Sequence, residues 1–196
     1  FAAGASFLEP LKGRRIYFPS RYEPHEDAGP YQRAYTLIVT PDGEVLHINR
    51  FHDTAWAPIE SRCIRNLMAE INPGLTMDLH ECGGEAFWFS ARHQRDAGDE
   101  AWEERMADAM IQAVRQAGQP LEPELPGTFF EKRQDGAFWL VAKQRGEGLN
   151  LADFGAARYG PAFTIETTTK RPYDDRVQTS MLAVQTAVRV FEEQHR

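Results

Sequence analysis

The feature that most constrains the fold is a short apolar run, Leu75 to Leu79, set between two stretches of helical periodicity. Such a run is too short for a buried helix. Cys82-Gly83-Gly84 break it almost at once, so it reads as a buried strand. Before it, Ile59, Cys63, Ile64, Leu67, Met68 and Ile71 keep helical spacing, from Pro58 to a stop at Asn72-Pro73-Gly74. After it, Trp102, Met106, Met110, Ala113 and Val114 form one face of a second helix, capped by Asp99 and ended by Gly118. Helices alternating with short, fully apolar strands predict an α/β fold. The expected form is a three-layer sandwich with a mostly parallel mixed central sheet flanked by helices.

The rest of the chain fits that outline. Arg14 to Phe18, Tyr35 to Val39 and Glu44 to Ile48 read as strands, the last two joined through Pro41-Asp42-Gly43. Phe129-Phe130 and Ala137 to Ala142 read as strands around Asp135-Gly136, and Ala162 to Glu166 as another buried strand. Asp175 to Phe191 predicts a long closing helix, with Val177, Met181, Leu182, Val184, Val188 and Phe191 available to the core. A length of 196 residues suits one domain, 1–196, with a full-sized core.

Composition narrows the function classes. A net charge of -7 with no basic run argues against nucleic acid as a partner. No apolar stretch approaches the roughly 20 residues of a membrane span. Two cysteines, Cys63 and Cys82, make neither a disulfide framework nor paired zinc spacing, and a cytoplasmic setting is expected.

Three apparent strands deliver polar groups at their carboxyl ends, where open α/β sheets place ligands. They end on His80, on Glu166 and on Asn49-Arg50. A histidine, a carboxylate and a guanidinium gathered at one rim would suit metal-assisted hydrolysis of a substrate bearing its own carboxylate. Cys82 is a further possible ligand or thiol nucleophile, although free cysteines are commonly small buried hydrophobes. His25, His47, His52 and His93 read as loop or strand-surface residues, and Phe87-Trp88-Phe89 as core and pocket wall.

These motifs resemble the zinc metallocarboxypeptidases and their aspartoacylase-like deacylase relatives. Asp78-Leu79-His80 is similar to the context of the family's third zinc ligand, and Thr164-Ile165-Glu166 to that of its general base. Asn49-Arg50 resembles the pair that grips the substrate's carboxylate, and Arg33 stands near the place of the arginine that polarises the scissile carbonyl. The resemblance implies one Zn2+ per chain with His80 as a ligand, Glu166 and Arg33 as catalytic residues, and Asn49 and Arg50 as substrate-binding residues. It implies a peptide, or an N-acyl amino acid, with a free carboxylate as substrate. Asp78 is expected to face away from His80 and to act at most as an outer partner of that ligand.

The chain departs from the family in three places. It has no His-x-x-Glu spacing to supply the other two zinc ligands. Phe1, Ala2, Phe7, Leu8 and Leu11 share one helical face, so that motif and the N-terminal strands are expected upstream of Phe1. If they are absent, the chain is a metal-free, non-catalytic relative that binds without turnover. Asp-x-Asn-Arg stands here as His47-Ile48-Asn49-Arg50, and Tyr159 is too near Glu166 to take the family tyrosine's role.

Overall fold

A computed structural model describes residues 15–19, 34–39, 45–47, 49, 52–53, 57, 59–92, 97–125, 130–140 and 150–194. The predicted helix from Phe1 to Leu11, Pro58, and the site candidates Arg33 and Arg50 lie outside them.

Among the described residues, eight strands and four helices follow in the order β1 (Arg15–Pro19), β2 (Ala34–Val39), β3 (Val45–His47), α1 (Ile59–Ile71), β4 (Thr76–Cys82), β5 (Trp88–Arg92), α2 (Ala97–Gln116), β6 (Phe130–Gln134), β7 (Ala137–Leu140), α3 (Leu151–Arg158), β8 (Ala162–Thr168) and α4 (Tyr173–Gln194). The first three strands make an antiparallel sheet in the order β1-β2-β3, and the other five a mixed sheet in the order β4-β8-β5-β7-β6. The fold is α/β, as expected. In the mixed sheet β4 and β8 run parallel, as do β5 and β7, while β5 with β8 and β6 with β7 run antiparallel.

Strand alternation sorts the mixed sheet into two faces. Phe87, Phe89, Ala91, Ala137, Trp139, Phe163 and Ile165 point to one face and meet Met106, Met110, Ile111 and Val114 of α2 and Ala183 and Ala187 of α4. Phe89, Phe163, Ile165, Met106, Met110 and Val114 are wholly excluded from solvent, so burial on this face is the main drive to fold. The small residues of α4 are what turn inward. Val177, Met181 and Val188, expected in the core, are 41%, 51% and 39% exposed. Alanine lets the helix approach α2 closely, and its rotation carries Val177, Met181 and Val188 outward while Val184 and Phe191 still pack on the core.

The opposite face carries α3, which in turn packs through Phe154, Leu151 and Tyr159 on Ile64 and Met68 of α1. A Cβ placed on Gly155 would come within 2.6 Å of the Thr76 Oγ1, so glycine is what lets α3 lie directly on β4. Thr76 begins the row Thr76, Asp78, His80 on that face, and this helix sets the floor of the candidate site.

Three described positions use left-handed backbone, the first being Asn72, at φ 49°, just past α1. Gly118, at φ 73°, closes α2, and Gly136, at φ 80°, joins β6 to β7. Among the described residues no helix is long and apolar enough to cross a membrane.

Candidate functional site

His80 and Glu166 come together. β4 and β8 are parallel neighbours in a register that places His80 beside Glu166 and Asp78 beside Thr164. Adjacent strands lie about 4.8 Å apart, so paired side chains on one face are within reach of each other. Trp88 of β5 pairs with Glu166 from the other side. Neither residue ends its strand as the sequence suggested. β4 runs on to Cys82 and β8 to Thr168, because the ladder continues through Glu81–Thr167 and Cys82–Thr168 and closes with Thr169 N–H donating to the Cys82 carbonyl at 2.9 Å. Both functional groups sit two residues inside the carboxyl edge.

Asp78 corrects the expectation that it faces away. Residues two apart in a strand share a face, and its Oδ2 lies 2.9 Å from His80 Nε2. Burial alone would raise its pKa. The hydrogen bond and charge of His80, the Asn49 amide and the charge of His52 outweigh that, holding the carboxyl below its usual range.

Asn49 stands just beyond β3 and reaches this pair. Its Nδ2 donates to Asp78 Oδ2 at 2.9 Å and lies 2.9 Å from His80 Nε2, while its Oδ1 accepts from the Leu151 backbone N–H at 2.9 Å. The amide that the resemblance assigns to the substrate's carboxylate is thus turned toward Asp78, His80 and the start of α3.

Glu166 is the most perturbed carboxylate on this face. Burial pushes its pKa up to about 7; His80 pulls it down, while Asp78 and Glu81 add to the rise. Its Oε2 is buried and has no hydrogen-bond partner among the described residues. A sheltered carboxyl that titrates near neutrality can exchange a proton with a reacting molecule. Cys82, by contrast, is no nucleophile at neutral pH. Burial first, and the nearby Glu166 second, push its thiol up to about 11.

His52 is the residue that sequence reasoning missed. Expected at the surface, it is 2% exposed, its ring 6.1 Å from that of Phe154 and its charge felt at Asp78. No local signal marks it, since its cover comes from α3, about a hundred residues later in the chain. Phe87 and Phe89 are core, as expected. Trp88 faces the site side, edge-on to Phe130 and Phe138.

A structural zinc or a catalytic one needs at least three protein ligands. Among the described residues no three His, Cys, Asp or Glu side chains converge as such a set. His80 and Asp78 alone do not fit the metal.

No family model matches the chain, and no curated protein matches it. Among solved structures, the chain is similar to a "putative metallopeptidase" from Shewanella denitrificans OS217, at 16% identity and a TM-score of 0.47 over 76% of its length. It spans about half of that protein, 52%. So slight a likeness transfers no role, and the functional reading rests on the site.

Proposed function

We propose that the chain carries part of a metal-dependent hydrolase site of the metallocarboxypeptidase type, cleaving a C-terminal peptide bond. The observation that carries this reading is the register that sets His80 beside Glu166 on one face of two parallel strands, near their carboxyl edge. Glu166 is the proposed general base: it takes a proton from the attacking water and returns it to the leaving amine, a task for which a pKa of about 7 is suited. Arg33 is the proposed oxyanion partner, and Arg50 the proposed grip on the substrate's carboxylate. Zinc, one per chain, is the proposed metal, with His80 as a ligand and the others supplied from outside the described residues. The described residues do not complete its ligand set.

A deacylase of N-acyl amino acids uses the same groups. Free peptides tested beside N-acyl amino acids separate the two. In either case Glu166→Gln is expected to lower kcat at least a hundredfold. Substantial residual turnover would remove Glu166 from the role of base.

A second reading keeps the same residues without turnover: a metal-free binding relative, in which Asp78 simply holds His80 Nε2. That reading predicts ligand binding unchanged in Glu166→Gln and no turnover to lose.

A further inference from the structure

We propose that Asn49 is a positioning residue, which braces Asp78 against His80 Nε2 and ties that pair to the first turn of α3. The inference rests on His80 being a working side chain, as proposed above. Its test reads the imidazole and one backbone amide, so its failure is distinguishable from a failure to find hydrolysis.

The orientation of the Asn49 amide is set from both ends. The Leu151 N–H, 2.9 Å away, can only donate, so it requires the amide oxygen. The Asp78 carboxylate, 2.9 Å away on the other side, can only accept, so it requires the NH2. A flipped amide would lose both bonds.

The same constraint decides the proton on His80. Nε2 lies 2.9 Å from Asp78 Oδ2 and 2.9 Å from Asn49 Nδ2. It cannot donate to the first and accept from the second at once. A charge-assisted bond to a carboxylate is the stronger of the two. Nε2 therefore carries the proton and donates to Asp78, while Asn49 steadies the carboxylate. In the neutral ring the lone pair then belongs to Nδ1.

Asn49 also joins three elements. It follows β3, its acceptors and ring neighbour stand on β4, and its donor opens α3. Leu151 N–H is one of the orphan amides at that helix end, beside Asp153 N–H, which the Asn150 side chain accepts at 2.7 Å. Loss of the Asn49 amide would thus release the helix end and the imidazole together, while Asp78 acts on the imidazole alone.

The experiment is nitrogen NMR of the His80 ring, with amide exchange at Leu151, on metal-stripped protein near neutral pH. In the unaltered chain the Nε2–H tautomer is expected to dominate and the Leu151 amide to be protected. Asn49→Ala should mix the tautomers and speed Leu151 exchange roughly tenfold, with the β8 amides unchanged. Asp78→Ala should mix the tautomers and leave Leu151 protected. An unchanged Leu151 rate or an unchanged tautomer in Asn49→Ala overturns the proposal. So does a dominant Nδ1–H tautomer in the unaltered chain, a result that stands even if the alanine variant does not fold.

Discussion

Glu166 holds a proton in the folded chain that the unfolded chain releases between its ordinary pKa of 4.5 and about 7. Its contribution to stability is fullest below the lower value and is lost as the pH rises through the upper one. On metal-stripped protein, urea titrations should find this loss, at most about 3 kcal/mol, as the difference between the unaltered chain and Glu166→Gln across that window. Parallel pH profiles for the two would mean that Glu166 is not the sheltered carboxyl described here. The cysteines make a second residue-scale prediction. Cys63 is exposed, whereas the Cys82 thiol is pushed up to about 11 by burial. A thiol reagent at pH 7.5 should modify Cys63 readily and the half-buried Cys82 far more slowly; equal rates would contradict the shelter of Cys82. That His80 and Glu166 lie on strands was legible in the sequence, because each closes a short apolar run. Asp78 was equally legible, given the strand period of two, and was misplaced all the same. His52 was not legible, because what buries it is a distant aromatic ring.

At the scale of elements, the site depends on how closely α3 approaches β4. Gly155→Ala sets a methyl against Thr76, where the Cβ would lie 2.9 Å from the Thr76 Cβ as well as 2.6 Å from its Oγ1. The expected cost is about 1–3 kcal/mol by chemical denaturation, because the threonine backbone cannot retreat from its strand. The same substitution should weaken protection of the Leu151 amide, since lifting α3 draws Leu151 from Asn49. A variant as stable as the unaltered chain would show that α3 does not lie on β4 as described. α3 escaped the sequence reading because Leu-Ala-Asp-Phe-Gly-Ala-Ala-Arg has no clean apolar stripe and a glycine at its centre. Asn150 was its signal, an N-cap residue three positions before an aspartate. β5 escaped because Ser90 interrupts its apolar run and Arg92 ends it, and its strand character comes from pairing with β7 and β8. The β6–β7 hairpin was easier, since Asp135-Gly136 turns β6 into β7. Pro41-Asp42-Gly43, expected to join the antiparallel β2 and β3, lies outside the described residues.

Across the whole molecule, the α/β class followed from alternating helical and strand-like periods. The share of parallel pairs did not, because pairing order is fixed by long-range contacts that leave no local trace. Both sheets contribute to the site: β4 and β8 supply the histidine and the two carboxylates, and Asn49, just beyond β3, reaches them. The central claim is that this assembly belongs to a metal-dependent hydrolase in which His80 holds the ion. It is tested most directly by counting metal atoms in protein expressed from its native start codon, with His80→Ala measured beside it. About one zinc per chain, lost in the variant, is the predicted result. No zinc in the unaltered protein after incubation with excess metal, or zinc retained undiminished in His80→Ala, would contradict it.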